Sequence, residues 1–159
     1  MRKIIEIGEI EKLVKEIGNK NIVLVGGCFD IVHLGHIKFL EKAKNKGKIL
    51  IVMLESDKNI KKIKGQIRPI NSQKNRAEFL IKLKMVDYVI KLPEMMNDED
   101  YFNLVKIIKP KIIAVSENDR NLLKKKQQAK EIGAKLIKVT NLIPYQSTSK
   151  IIEIISSQI

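Results

Sequence analysis

The sequence predicts a three-layer α/β fold built on a parallel sheet, and three observations carry that prediction. The runs at residues 22–25 and 48–54 are apolar without alternation, as in strands covered on both faces. Amphipathic segments of helical length separate the apolar runs from one another. The alternation continues through all 159 residues with no linker, repeat or low-complexity tract, so the chain reads as one domain of residues 1–159.

Each element follows from local pattern. Residues 3–18 read as an amphipathic helix, because Ile7, Ile10, Leu13, Val14 and Ile17 fall on one face and Gly18 closes it. An N-terminal helical segment (1–20) thus precedes a core (21–159). The first strand, 22–25, runs into Gly26-Gly27, and a helix over roughly 34–46 leaves that turn. The second strand, 48–54, leads to Glu55-Ser56-Asp57, a short helix near 58–63 and a basic loop, 64–71, carrying Gly65 and Pro69. A helix over about 72–84 precedes the third strand, 87–92. A polar loop at 93–100 and a helix at 99–108 lead past Pro110 to the fourth strand, 111–115. A basic helix over 119–133 ends at a glycine, the fifth strand is 135–139, and Ser147 caps a last helix. Right-handed crossovers give a Rossmann-like three-layer sandwich with a five-stranded parallel sheet. In such a sheet ligands sit beyond the carboxyl ends of the strands, where strand order reverses. The loops at Gly26, Glu55, Ser116 and Asn141 all follow strands, so they converge on one rim.

Composition narrows the class. The net charge is +13, from 31 basic and 18 acidic residues. The basic residues are mostly Lys, spread over every helix, with no Trp and few Phe or Tyr to stack on bases, so the charge reads as compositional bias rather than a nucleic-acid surface. One Cys excludes a disulfide framework or a structural zinc site built on paired cysteines. The start is charged within a few residues, and no stretch approaches the ~20 apolar residues that span a bilayer. The expectation is a cytoplasmic protein without membrane or nucleic-acid partners.

The segment Gly26-Gly27-Cys28-Phe29-Asp30-Ile31-Val32-His33-Leu34-Gly35-His36 says most about chemistry. Paired glycines let backbone N–H groups approach a phosphate, and the helix that follows offers unpaired N–H groups and the positive end of its dipole. His33 and His36 are the only two histidines, three residues apart on one face of the first turn. Imidazoles there can donate to the charge that builds on a phosphoryl group in flight. The blander reading is that one of them caps the helix. Zinc is disfavoured because no third ligand stands nearby. Asp30 fixes the turn through local hydrogen bonds or lies at the acceptor; the sequence leaves that open. Cys28 has no base at motif spacing and reads as a small side chain beside phosphate, not a nucleophile.

Gly-Cys-Phe-Asp-x-x-His-x-Gly-His resembles the signature of the HxGH nucleotidyltransferases, which include the cytidylyltransferases. The similarity is greatest to the adenylyltransferase domain of ADP-heptose synthase. It extends to Lys64-Gly65-Gln66-Ile67-Arg68-Pro69-Ile70-Asn71, Arg76 to Leu80, Val86-Asp87-Tyr88-Val89 and Ser147-Thr148-Ser149-Lys150-Ile151-Ile152. Five segments in order cover nearly the whole chain. The resemblance implies transfer of a nucleoside monophosphate from an NTP to a phosphorylated sugar or polyol, with release of pyrophosphate. It implies His33, His36 and Lys64 as catalytic residues. It places Gly26, Gly27, Cys28, Phe29, Arg76, Asn118, Ser147, Thr148 and Ser149 at the nucleotide, and Asp30 and Arg68 at the acceptor. Lys64 and Arg76 would take the β- and γ-phosphates. Mg²⁺ would be bound mainly through those phosphates, with no protein metal site. A homodimer is implied by resemblance alone.

Two segments depart from the pattern. Heptose-type relatives carry Gly-Gly-Asp-Tyr after the fourth strand, where this chain has Ser116-Glu117-Asn118-Asp119. Pro144-Tyr145-Gln146 replaces the usual lead into Ser-Thr-Thr and lacks the Arg that cytidylyltransferases carry nearby, which favours ATP over CTP. The alternatives are a cytidylyltransferase acting on glycerol phosphate or a related polyol phosphate, a nucleotide-binding protein without transfer activity, and a basic nucleic-acid module.

Overall fold

The computed structural model describes residues 1–18, 20–94, 97–140 and 146–159. Its sheet has six parallel strands: β1 (Lys3–Ile5), β2 (Ile22–Gly27), β3 (Ile49–Leu54), β4 (Tyr88–Lys91), β5 (Ile112–Ser116) and β6 (Lys135–Thr140). Their order is β1-β4-β3-β2-β5-β6. Among the described residues six α-helices lie between them, α1 (Ile10–Ile17), α2 (Leu34–Lys44), α3 (Asp57–Lys64), α4 (Gln73–Lys82), α5 (Asp98–Ile108) and α6 (Leu122–Ile132), and α7 (Thr148–Ser156) follows β6.

The expected five strands are corrected to six, and the expected helix over 3–18 divides. Lys3–Ile5 pairs with β4, Ile4 standing opposite Val89. Adjacent residues of a strand face opposite ways. Ile5 accordingly enters the core on one face of the sheet, while Ile4 packs on the other. A 3₁₀ turn at Ile7–Glu9 then redirects the chain, with Glu6 and Glu9 capping it reciprocally, before α1 begins. The helical spacing of Ile10, Leu13 and Ile17 is real; the helix starts about two turns later than the pattern implied. Gly18 ends α1 at φ +62°, as a glycine after a helix does.

The core has two layers. Ile22 and Leu24 of β2 and Ile51 and Met53 of β3 pack beneath α1, α5 and α6. Val23 and Val25, with Leu50, Val52 and Leu54, pack beneath α2 and α4. Strands covered on both faces account for the uninterrupted apolar runs. The chain moves outward from β2 through β3 to β4, then returns to the far side of β2 with β5. The strand order therefore reverses at β2 and β5, whose carboxyl ends are Gly27 and Ser116. Among the described residues no helix is long and apolar enough to cross a membrane.

Candidate active site

A cleft of ≈ 330 Å³ opens at that reversal. Its floor is the end of β2 and the turn after it, from Gly26 to Asp30. Its walls are the first turn of α2, the loop after α3, the end of β5 and the start of α7. Gly27 is required sterically: a Cβ there would stand 2.9 Å from the Phe29 ring. Phe29 is buried at φ +46°, a left-handed conformation that β-branched residues resist, and its ring lies 5.2 Å from that of His36.

The two histidines cap α2. His33 is the N-cap, and its Nδ1 accepts the N–H of Gly35 at 3.1 Å. The N–H of His33 is donated to Nδ1 of His36 at 3.4 Å. The rings stack with centroids 3.8 Å apart. The capping expected of one histidine is thus performed by both. With Nδ1 of each ring accepting a backbone N–H, each neutral ring carries its proton on Nε2. Burial pushes His36 down to about 4, with His33 beside it adding to the shift and the carbonyl of Ile31 opposing it. Burial also lowers His33. Both rings are therefore neutral donors near pH 7 in the ligand-free cleft.

A second helix start meets this turn. Ser147 is the N-cap of α7, its Oγ accepting the N–H of Lys150 at 3.1 Å. The Thr148 hydroxyl donates to the carbonyl of Ile31 at 3.2 Å, which ties α7 to the turn before α2. The carbonyl of Gln146 lies so close to α2 that a Cβ on Gly35 would stand 3.2 Å from it and 2.9 Å from the His33 ring. Gly35 is the glycine that lets the two helix starts come together. Ser147, Thr148 and Ser149 all line the cleft, beside N–H groups with an anion-attracting dipole.

The third wall is basic. Lys64, the last residue of α3, lines the cleft, as does Arg68. Nε of Arg68 donates to Oδ2 of Asp30 at 2.7 Å, and both side chains are buried. Asp30 also accepts the N–H groups of Ile70 and Asn71, each at 2.9 Å. Burial alone would raise its pKa, but these N–H groups and the guanidinium outweigh it and hold the carboxyl below its ordinary value. Asp30 lines the cleft, and its carboxylate bonds not within its own turn but to the distant loop around Arg68. Burial pushes the Cys28 thiol up, with Lys64 opposing, so it lines the cleft as a neutral group.

Two expected residues stand elsewhere. Arg76 does not line the cleft; it is 1% exposed beneath it. Its guanidinium donates to the carbonyls of Cys28 (2.6 Å), Glu55 (2.9 Å) and Asn71 (3.0 Å) and to Oδ1 of Asp57 (2.6 Å). It ties together three loops that form the rim. Asn118 is exposed and outside the cleft, which takes Ser116 and Asp119 from that loop instead. Asp119 turns inward because its carboxylate accepts the N–H of Asn121 at 2.8 Å and the ammonium of Lys125 at 2.6 Å. Thr140 and Phe39 also line the cleft without having been singled out, and Gly35 and Gln146 line it as well. Thr140 ends β6, so its place on the rim was available from the α/β pattern. Asn141, Pro144 and Tyr145 lie outside the described residues.

The cleft suits an extended anion next to a polar, uncharged group: N–H groups, hydroxyls and cations on one side, Ser116, Asp119 and Thr140 on the other. Among the described residues no three His, Cys, Asp or Glu side chains come together as metal ligands.

A family model described as Cytidylyltransferase-like matches residues 24–157. The chain is 40% identical over 147 residues to the bifunctional protein HldE of a Nitratiruptor species, covering 91% of this chain and 30% of that protein. To the bifunctional protein HldE of Campylobacter jejuni it is 39% identical over 155 residues, covering 96% and 31%. The chain therefore spans just under a third of the length of these curated relatives. Among solved structures, the lipopolysaccharide core biosynthesis protein from Thermoplasma volcanium superposes with a TM-score of 0.63, at 27% identity, over 80% of this chain and 100% of that one.

Proposed function

The chain belongs to the cytidylyltransferase-like family, and from that premise we propose that it transfers a nucleoside monophosphate from an NTP to a phosphorylated sugar. The observation that carries the reading is the pair of Nε2–H imidazoles at the meeting point of two helix starts. An oxygen of the acceptor's phosphate attacks the α-phosphorus of the NTP. The bond from that phosphorus to the α–β bridging oxygen breaks, and its electron pair leaves with pyrophosphate. The attacking oxygen is already an anion, so no general base is needed. Negative charge grows on the α-phosphoryl oxygens, and donors fixed in place before the reaction stabilise it. His33 and His36 are those donors. Each neutral ring keeps its proton on Nε2, and a donor fixed there strengthens its hydrogen bond as the acceptor's charge develops.

The start of α7 and the cation of Lys64 hold phosphate oxygens, and Ser116 and Thr140 face the nucleoside. When Mg²⁺ accompanies the nucleotide it neutralises part of the triphosphate charge. A sugar acceptor accords with the lipopolysaccharide core biosynthesis named for the T. volcanium protein. ATP as donor rests on the heptose-type Gly-Cys-Phe-Asp and Lys-Gly-x-x-Arg-Pro-x-Asn segments. Calorimetry with ATP and CTP in Mg²⁺ tests the donor: ATP binds more tightly, and tighter binding of CTP would transfer the reading to a cytidylyltransferase. Pyrophosphate release across a panel of sugar and polyol phosphates tests the acceptor.

A further inference from the structure

We propose that Asp119 recognises the ribose hydroxyls of the nucleotide and so sets a preference for ribonucleotides over deoxyribonucleotides. The proposal rests on the transfer reaction above and names the residue that reads the sugar of its donor. Among the described residues two aspartates line the cleft, Asp30 and Asp119. The Asp30 carboxylate accepts Nε–H of Arg68 and the N–H groups of Ile70 and Asn71, and its side chain has no exposed surface. Asp119 differs on both counts. One of its oxygens accepts the N–H of Asn121 and the other the ammonium of Lys125, which leaves about two of a carboxylate's four lone-pair sites open. Its side chain lines the cleft and is 14% exposed. A carboxylate accepts hydrogen bonds, cannot donate them and repels phosphate. It therefore faces a neutral donor, a hydroxyl or an amino group. The heptose-type pattern carries Tyr at the fourth position of this loop, where this chain has Asp119.

Placement selects the donor. Lys64 ends α3, which follows β3, so the triphosphate runs from the histidines toward the β3 side of β2. The start of α7 joins the histidines, because Thr148 is bonded to the carbonyl of Ile31 in the turn before α2. The nucleoside leaves the α-phosphate on the other side, toward β5. Asp119 stays at the end of β5, where its N–H returns to the carbonyl of Ser116 at 3.3 Å, and Ser116 pairs with Thr140 of β6. Neighbouring strands lie about 4.8 Å apart. One strand over from the α-phosphate is the group bonded to it, the ribose, and the base lies beyond. A vicinal diol offers two O–H donors to the open sites of the carboxylate, which Asn121 and Lys125 fix before the nucleotide arrives.

The test uses the whole chain with Mg²⁺ and no acceptor, so that no transfer occurs. Calorimetry gives the Kd of ATP, 2′-deoxy-ATP, 3′-deoxy-ATP and purine riboside triphosphate, which lacks the amino group of adenine, and of CTP and 2′-deoxy-CTP. The base that binds more tightly carries the comparison. Wild type is expected to bind the ribonucleotide at least about tenfold more tightly than a deoxy form, the scale of one hydrogen bond to a charged group. In Asp119→Ala that ratio falls below about threefold, and Asp119→Asn, which keeps one acceptor oxygen, recovers part of it. The ratio is the readout because a loosened fold, or Lys125 left unpaired, shifts the Kd of every nucleotide together. A wild type that does not discriminate, or a ratio unchanged in Asp119→Ala, overturns the proposal. A preference confined to ATP over purine riboside triphosphate, and lost in Asp119→Ala, assigns the carboxylate to the base and overturns it as well. Failure of the transfer reaction shows differently: nucleotides still bind with the ribose preference, but no sugar or polyol phosphate elicits pyrophosphate release. A wild type that binds none of the nucleotides overturns both.

Discussion

His33 and His36 hold one another through the backbone: the N–H of His33 is donated to Nδ1 of His36, and Nδ1 of His33 accepts the N–H of Gly35. A histidine pair that caps a helix in this way has only Nε2 left to face a substrate. Tautomer and orientation come from a single helical turn, and burial in the cleft lowers the basicity.

The pairing predicts an acid-sensitive fold. Both folded-state pKa values lie below the ordinary 6.5, His36 at about 4. The unfolded chain therefore takes up protons first as pH falls, so stability is full above about 6.5 and declines toward 4. For His36 alone the loss between pH 7 and pH 5 is about 1 to 2 kcal/mol. Urea midpoints at the two pH values measure it. His36→Gln, which does not titrate there, should lose correspondingly less than wild type. An equal loss in both proteins would show that the ring is not held neutral.

Gly35→Ala should disable the site more than the fold. Its Cβ would press on the His33 ring at 2.9 Å and on the Gln146 carbonyl at 3.2 Å. Relief requires α7 to move away from α2 or His33 to leave its capping position. The expected cost in stability is about 1 to 3 kcal/mol, and nucleotide affinity and turnover should both fall. Wild-type turnover in Gly35→Ala would mean that the two helix starts need not meet.

Arg76→Ala should damage stability first. Removing the guanidinium leaves the carbonyls of Cys28, Glu55 and Asn71 without their buried donor and Asp57 without its cation. Losing one partner of such a network costs about 3 to 5 kcal/mol. Arg76→Lys keeps one charge but cannot reach four acceptors, so it should recover less than half of that. Thermal denaturation measures both variants. A melting temperature unchanged in Arg76→Ala, with only nucleotide affinity lost, would return Arg76 to the triphosphate.

The case of Arg76 shows where the sequence stops being legible. An Arg near a phosphate motif reads as a phosphate ligand, because sequence spacing does not reveal which carbonyls surround a side chain. Arg68 and Arg76 flank the same loop and look alike in the sequence. Only the fold separates one that lines the cleft from one whose donors meet the chain itself. The strands and the glycine turn were legible because unbroken apolar runs and Gly26-Gly27 each have few structural solutions. β1 was not, because three residues are too short to display a period. Asp119 was missed in favour of Asn118 because a turn's inward side depends on local hydrogen bonds, here those to Asn121 and Lys125.

The central claim is that His36 acts on the developing charge of a nucleotidyl transfer. It is tested most directly by pyrophosphate release from MgATP in the presence of a phosphorylated sugar that wild type accepts, measured alongside the Kd of α,β-methylene-ATP. His36→Ala should lower acceptor-dependent release about a hundred- to a thousandfold, the scale of one lost preorganised donor, while the analogue's Kd stays within about tenfold. Release within tenfold of wild type, or a loss of release matched by an equal loss of nucleotide binding, would contradict that role.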